Sequence, residues 1–201
     1  LDHDDTIVNS TATIHYPSFV EYMKLYHPQI QMSLEEFFKL NFDPGVVALF
    51  TDICGMSLEE MHEEEIFWSD YVKEHIPEAY PGISDILWKY KAQGGIITVV
   101  SHSYSHYIKR DYAANALPEP DIIYGWELES EKRKPDPWCL YEIERRLGLK
   151  AEEILVLDDL KPGYDMAKAA GVPFAAAGWA NDVPEIEGFM RQNCDYYFKT
   201  V

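Results

Sequence analysis

The chain has 201 residues, of which 17 are Lys or Arg and 35 are Asp or Glu, so its formal charge is −18. That length predicts one compact domain, or one core that carries a smaller insert. A hydrophobic fraction of 47% can fill a sizeable core, which argues against a mainly disordered chain. The negative charge argues against nonspecific binding to nucleic acid or to a membrane surface, since both present anionic phosphate.

The cysteine content and the apolar runs narrow the class of protein further. The chain has an odd number of cysteines, namely Cys54, Cys139 and Cys194, and no Cys-x-x-Cys pair. Neither a disulfide framework nor a cysteine zinc site is therefore indicated. No apolar run approaches the roughly 20 residues of a membrane helix, and no signal peptide is visible. We therefore expect a cytoplasmic protein. Because the chain opens on Leu1, we also expect that residues precede it.

Residues 11–79 show helical patterns only. Ser33 with Glu36, and Ser57 with Glu60, form capping boxes that each predict the start of a helix. After the second box, apolar residues recur at helical spacing over 58–72. Four glutamates lie between them, and we interpret these as a solvent-exposed acidic face: Glu59, Glu60, Glu63 and Glu64.

From residue 80 onward the pattern alternates between strands and helices. Continuous apolar runs over 95–100, 121–124, 153–157 and 173–177 are typical of parallel strands that are covered on both faces. Helical patterns lie over 83–93, 104–117, 137–147 and 164–170. This alternation predicts an α/β fold with a parallel sheet. We expect linkers near 10–16 and near 80–82.

Polar residues follow the predicted strands where each strand ends. Ser101-His102-Ser103 follows the first strand and Asp158-Asp159 the third, while Lys134 precedes a helix and Asp2-His3-Asp4-Asp5-Thr6 follows Leu1. Function in open α/β sheets gathers at the carboxyl ends of the strands, so these residues form a candidate site. Taken singly, each has an ordinary alternative as a turn residue, a helix cap or a solvated side chain.

Several other sites are disfavoured by the sequence. A calcium loop at the N-terminus fails, because Ile7 and Thr13 stand where glycine and glutamate are needed. His102 and His106 have the spacing of a zinc helix, but Ser103 stands where a zinc protease has its glutamate. No two glycines lie two positions apart, which excludes a dinucleotide-binding GxG motif.

Taken together, these motifs resemble the haloacid dehalogenase (HAD) superfamily over nearly the whole chain. Asp2-x-Asp4-x-Thr6 is similar to its first signature, Val99-Val100-Ser101 to its second, Lys134 to its third, and Leu157-Asp158-Asp159 to its fourth. Their spacing is typical of members with a helical cap between the first two signatures. The resemblance implies a Rossmann-like α/β core over 1–10 and 80–201, with an all-helical cap over 11–79.

The resemblance also implies roles for the candidate residues. Asp2 would be the nucleophile that forms an aspartyl-phosphate, since covalent catalysis by a carboxylate divides the displacement into two easier steps. Asp4 would protonate the leaving group and then deprotonate water, for which we expect a raised pKa. Ser101, His102 and Lys134 would bind the phosphate.

A metal ion follows from the same set of residues. Four carboxylates beside a dianionic phosphate repel one another, and a hard cation relieves that repulsion. The resemblance implies Mg²⁺ held by the side chains of Asp2 and Asp159 and by the backbone carbonyl of Asp4, with Asp158 in support.

Three positions depart from the family pattern. Asp5 replaces the usual glycine, although Asp tolerates unusual backbone angles better than most residues. His102 replaces the usual asparagine. Gly163 replaces an acidic residue or asparagine, which leaves one support of the metal site in doubt.

The sequence thus predicts a Mg²⁺-dependent phosphatase that acts on a small phosphorylated metabolite, as a monomer or small homo-oligomer. The cap would close over the site, with Phe42, Asp43 and Phe50 as candidate contacts. Three alternatives remain. Asp4 argues against a halide-releasing dehalogenase, a sugar phosphomutase would share every catalytic residue, and a catalytically silent binding or regulatory protein would keep only the fold.

Overall fold

Five short parallel strands form the sheet layer in a computed structural model that describes residues 1–201. β1 (Thr98–Val100) pairs with β2 (Ile122–Tyr124). β3 (Val156–Asp158), β4 (Phe174–Ala177) and β5 (Tyr196–Phe198) form the second sheet in that order. All of these pairings are parallel, which confirms the predicted α/β fold class.

The start of the chain joins these two sheets. The amino group of Leu1 donates to the Thr98 carbonyl at 2.8 Å, and the Leu1 carbonyl accepts from the Val100 amide at 2.9 Å. On the other side, the Asp2 amide donates to the Leu157 carbonyl at 2.9 Å. Leu1 and Asp2 therefore lie between β1 and β3, where both strands end.

Nine helices surround or precede the sheet. Four lie within residues 11–79 and form the helical region: α1 (Tyr16–Tyr26), α2 (Leu34–Phe42), the single turn α3 (Val46–Ala48) and α4 (Leu58–Glu74). The others are α5 (Ile83–Ala92), α6 (Ser105–Ala114), α7 (Trp138–Leu147), α8 (Lys161–Ala170) and α9 (Pro184–Asn193). None of them is long and apolar enough to cross a membrane.

Both predicted capping boxes are present. The Glu36 amide donates to Ser33 Oγ at 3.2 Å, and the Ser33 amide donates to Glu36 Oε2 at 2.8 Å. Ser57 and Glu60 repeat this arrangement with the same two distances. Each pair satisfies amides that the first turn of a helix leaves without partners.

The helical region has an apolar cluster of its own, and α2 connects it to the sheet. Phe19, Phe37 and Phe50 belong to the cluster within the helical region. Phe38 and Phe42, on the other side of α2, belong instead to the cluster that covers β3 and β4. Helix α2 therefore packs against both regions through two apolar faces, and α4 adds a second contact where Val72 packs against Tyr107 of α6.

Parts of the structure differ from the sequence-based expectations. The expected linker near 10–16 is helical, because a π-helical turn over Thr11–His15 continues directly into α1. Helix α9 and strand β5 were not predicted. On α4, Glu59 and Glu63 are exposed as expected, but Glu64 is only 7% exposed, so the prediction of a fully solvated acidic face was wrong.

Candidate active site

Lys134 lies between two buried carboxylates at the carboxyl ends of the strands. Its Nζ atom is 2.7 Å from Asp2 Oδ1 and 2.8 Å from Asp158 Oδ2. Burial by itself would lower the pKa of Lys134, but the charges of Asp158 and Asp2 outweigh it and hold that pKa above its ordinary value. Lys134 is therefore a fixed ammonium group in contact with the proposed nucleophile.

Asp2, Asp158 and Asp159 form a cluster with the spacing of a metal site. One carboxylate oxygen from each lies within 4.8 Å of the others, and all three residues are buried. No other group of three or more His, Cys, Asp or Glu side chains in the structure meets this spacing.

The electrostatics of this cluster favour a divalent cation. Burial raises the pKa of Asp2 to about 7, with Lys134 opposing and the charges of Asp158 and Asp4 adding to the rise. Burial and the neighbouring Asp5 also raise the pKa of Asp159 well above its ordinary value. Three carboxylates and one ammonium leave two negative charges uncompensated, and oxygen ligands with that charge fit Mg²⁺.

The two residues at the end of β3 differ in their free oxygens. Asp158 uses both oxygens within the protein, since Oδ1 accepts from the Leu160 amide at 2.8 Å and Oδ2 accepts from Lys134. Asp159 accepts one long bond, 3.3 Å, from the Thr6 hydroxyl. Asp159 is therefore better placed as a ligand, and Asp158 as a support.

Asp4 accepts hydrogen bonds on both of its carboxylate oxygens. Ser10 Oγ and His15 Nε2 lie 2.8 and 2.9 Å from Oδ1, while Ser103 Oγ and Ser101 Oγ lie 2.6 and 3.4 Å from Oδ2. Burial by itself would raise the pKa of Asp4, but His15 and these donors outweigh burial and hold it well below its ordinary value. The expectation of a raised pKa was therefore wrong for the substrate-free site.

His15 connects Asp4 to helix α4. The indole Nε1 of Trp68 donates to His15 Nδ1 at 2.9 Å, and because an indole N–H only donates, Nδ1 carries no proton. The proton of neutral His15 then lies on Nε2, which donates to Asp4. Burial lowers the pKa of His15 but Asp4 raises it by more. A second proton, on Nδ1, would cost the Trp68 hydrogen bond but would strengthen the pairing with Asp4.

In the Ser101-His102 turn after β1, the His102 side chain is already paired within the protein, whereas backbone amides are free to bind phosphate. His102 Nε2 donates to the Lys134 carbonyl at 3.1 Å, and burial together with the Lys134 charge lowers the pKa of His102 to about 3. This imidazole is neutral and already paired. The backbone amides of His102 and Asp4 donate no hydrogen bond within the protein, so they remain available to an anionic ligand.

Asp5 adopts the conformation that the usual glycine would supply. Its φ is +55°, in the left-handed region, as the sequence suggested. Its carboxylate accepts from the amides of Ser10 and Thr11 at 3.2 and 3.1 Å, which caps the π-helical turn. The substitution is thus accommodated locally.

Gly163 occupies a position where no side chain fits. A Cβ atom added there would lie 2.1 Å from Asp158 Oδ2. The Asp158 carboxylate, which the Leu160 amide and Lys134 hold in place, occupies the space that a side chain at position 163 would need.

Gly163→Ala should reduce activity although alanine favours helices by about 1 kcal/mol over glycine. The added methyl group would displace the Asp158 carboxylate, and loss of an outer support costs about 10- to 100-fold in metal affinity or activity. A Mg²⁺ titration of the initial rate measures this effect. Gly188→Ala in α9, where a Cβ meets nothing within 4 Å, is the matched control and should leave the titration unchanged. Equal titrations for the two variants would contradict the role given to Gly163.

A cavity of about 170 Å³ lies between Asp4 and the helical region. Its walls are largely aromatic and include Phe19, Phe37, Phe38, Phe50 and Trp68. Of the candidate cap contacts, Phe50 lines this cavity, Phe42 is buried in the core, and Asp43 faces solvent near Lys161.

The family model described as haloacid dehalogenase-like hydrolase matches residues 1–177. The chain belongs to this family. Among curated relatives, a phosphoglycolate phosphatase of Pseudomonas fluorescens is 28% identical over 122 residues, covering 57% of this chain and 43% of the relative. One of Mesorhizobium japonicum is 27% identical over 110 residues, covering 53% and 48%. The chain thus spans about half the length of the curated relatives it matches.

Solved structures agree with the HAD fold. A protein described as haloacid dehalogenase-like hydrolase from Bacteroides fragilis superposes with a TM-score of 0.81 at 22% identity, covering 100% of this chain and 95% of the other. CbbY from Rhodobacter sphaeroides, solved with xylulose-1,5-bisphosphate, has a TM-score of 0.76 at 19% identity, with coverages of 99% and 92%. These neighbours confirm a Rossmann-like core with a helical cap.

The structure adds three residues to the site that the sequence did not assign. Ser103 stands two positions after Ser101, and this spacing could have indicated a second hydroxyl on the same side. Ser10 and His15 carry no such signal, because they reach Asp4 only through the fold of the π-helical turn.

Proposed function

We propose that this HAD-family chain is a Mg²⁺-dependent phosphatase that hydrolyses a small phosphorylated metabolite through an aspartyl-phosphate on Asp2. The observation that carries the proposal is the placement of Lys134 between Asp2 and Asp158, inside a buried acidic cluster beside Asp4. The relatives named phosphoglycolate phosphatase support the same class of reaction.

We also propose the division into a core over 1–10 and 80–201 and a cap over 11–79. The helical region has its own apolar cluster, and the cavity lies between that region and the proposed catalytic residues. A cap in this position would exclude bulk water and contact the leaving group.

Asp2 would form a bond to phosphorus while the bond between phosphorus and the leaving oxygen breaks. Lys134 orients Asp2 through Oδ1 and would offset negative charge on the phosphoryl group. The hydroxyl of Ser101 and the backbone amides of His102 and Asp4 would bind the phosphoryl oxygens. Asp4 would give its proton to the departing alkoxide. Water would then lose a proton to Asp4 and attack phosphorus, which breaks the bond to Asp2 and releases phosphate.

The low pKa of Asp4 in the substrate-free site is compatible with both of these steps. A carboxylate is the form that accepts a proton from water in the second step. For the first step, the negative charge of a bound phosphate monoester would raise the pKa of the neighbouring carboxyl, since like charges disfavour ionisation.

Asp2, Asp159 and the Asp4 carbonyl would hold Mg²⁺, with Asp158 in support. The ion supplies charge neutralisation to the phosphoryl group, and phosphoryl transfer depends mainly on such positioning and neutralisation.

Chelation should therefore abolish phosphate release, and added Mg²⁺ should restore it. The assay measures inorganic phosphate over a panel of phosphate esters, before EDTA, after EDTA and after repletion. Release from at least one ester would separate a phosphatase from a silent binding protein. Isomerisation of a hexose phosphate without net release would instead identify a phosphomutase. Full activity after exhaustive chelation would contradict the metal assignment.

A further inference from the structure

The cavity beside Asp4 has no cationic side chain that is free to pair with a negatively charged leaving group. Neither Lys nor Arg is among the residues that line it. Its two histidines are already committed, His15 to Asp4 and Trp68, and neutral His102 to the Lys134 carbonyl. By contrast, four carboxylate residues line the cavity: Asp4 and Asp5 near the start of the chain, and Glu64 and Glu65 on α4.

Glu64 is the unusual residue among those carboxylates. It lies on α4 between Met61 and Trp68, three residues after the first and four before the second, so all three share one helix face and line the cavity. The residue is only 7% exposed. Burial raises the pKa of Glu64 to about 7, the neighbouring Glu65 adds to the rise, and His15 opposes it.

Glu64 also lacks a partner within the protein. No group in the protein donates a hydrogen bond to the Glu64 carboxylate. The adjacent Glu65, by contrast, accepts from Trp126 Nε1 at 2.8 Å and from the hydroxyl of Tyr104. A carboxylate that is largely withdrawn from water and accepts no hydrogen bond from the protein is costly. Glu64 lines a cavity that a substrate would fill, so a donor on the ligand would supply the missing partner.

Aromatic rings line the same cavity as this carboxylate. Phe19, Phe50 and Trp68 line the same space, and the faces of aromatic rings attract cations. A carboxylate among aromatic rings is suited to an ammonium group, while it would repel a carboxylate or a second phosphate.

We propose that the substrate is a phosphate monoester of a small amino alcohol, whose ammonium group pairs with Glu64 while its phosphate lies at Asp2 and Lys134. The inference rests on the proposed phosphatase activity and specifies its substrate class. It separates this chain from the phosphoglycolate phosphatases it resembles, because the leaving group of phosphoglycolate carries a carboxylate.

Three esters of similar size test the charge of the leaving group with the Mg²⁺-loaded enzyme. The three esters differ in the charge at the end away from the phosphate. That end is cationic in 2-aminoethyl phosphate, uncharged in propyl phosphate and anionic in 2-phosphoglycolate. We expect kcat/KM for 2-aminoethyl phosphate to exceed that for propyl phosphate by about 10- to 100-fold, the range of a hydrogen bond to a charged group. 2-Phosphoglycolate should be the poorest of the three.

Glu64→Gln tests whether this residue carries the preference. The substitution keeps the side-chain size and removes the charge, so the preference for 2-aminoethyl phosphate over propyl phosphate should be lost. Glu63→Gln, which changes an exposed neighbour on the same helix, is the matched control and should keep the full preference. This ratio compares two esters in the same variant, so a merely structural role of Glu64 would not change it.

Each other outcome overturns the inference in a recognisable way. A wild-type preference for 2-phosphoglycolate or propyl phosphate would show that the ammonium assignment is wrong while phosphatase activity stands. An equal loss on all esters in Glu64→Gln would assign Glu64 a structural role. No release from any phosphate ester would overturn the proposed function, and the inference with it.

Discussion

Asp2→Asn should lower phosphate release to the rate without enzyme. An amide is a poor nucleophile and cannot form the acyl phosphate, and removal of a covalent nucleophile typically costs on the order of 10⁴-fold or more in kcat. Lys134 would keep its second partner, Asp158, at 2.8 Å, so the cluster should remain assembled. Steady-state phosphate release with saturating Mg²⁺ measures the effect.

The fold of this variant can be checked independently. Because the pKa of Asp2 is raised to about 7 in the folded chain, its ionised form is disfavoured there near neutral pH, and ionisation costs stability. Replacement by a neutral amide should therefore leave the unfolding temperature of the metal-free protein unchanged or higher. Asp70→Asn, at an exposed position paired only with Lys73, is the control and should retain full activity. Appreciable turnover in Asp2→Asn would remove Asp2 from the role of nucleophile.

Asp4→Asn should slow hydrolysis of an alkyl phosphate by about 10²- to 10⁴-fold, the usual contribution of general acid–base catalysis. The loss should be smaller for p-nitrophenyl phosphate, whose leaving group departs with little protonation. Because water activation also needs Asp4, phosphoenzyme should accumulate with this activated ester. The comparison requires kcat for both esters in the wild type and in the variant.

Ser103→Ala separates proton transfer from simple packing at Asp4. It removes one donor, 2.6 Å from Asp4 Oδ2, and leaves the carboxylate in place. The variant serves as the control for Asp4→Asn and should lose much less activity. An Asp4→Asn loss that is equal for the two esters would argue against leaving-group protonation by Asp4.

The chemistry of the core could be predicted from the sequence because its residues are tied to strand ends. Lys134, Asp158 and Asp159 each border an element with a clear local pattern, Asp2 stands in the first signature, and parallel strands bring their carboxyl ends together. Once the strands are known, the cluster follows. Asp5 also behaved as expected, since its left-handed conformation depends mainly on its own backbone and side chain.

The cavity could not be predicted in this way. Glu64 stands in an acidic run, and a carboxylate that faces an internal cavity looks in a sequence like one that faces solvent. His15 reaches Asp4 and Trp68 across 11 and 53 residues, through contacts that only the packed helices create. Strand β5 was missed because it is short and half exposed at the edge of the sheet, where burial leaves little pattern.

The most direct test of the account is the site of phosphorylation during turnover. Wild-type protein, Asp4→Asn and Asp2→Asn would be mixed with p-nitrophenyl phosphate and Mg²⁺, quenched in acid within milliseconds to seconds, and digested for mass spectrometry. We expect a phosphoryl group on Asp2 that is transient in the wild type, accumulates in Asp4→Asn and is absent from Asp2→Asn. Phosphorylation of Asp4, Ser101 or His102, or turnover by Asp4→Asn with no phosphoenzyme at any time, would contradict it.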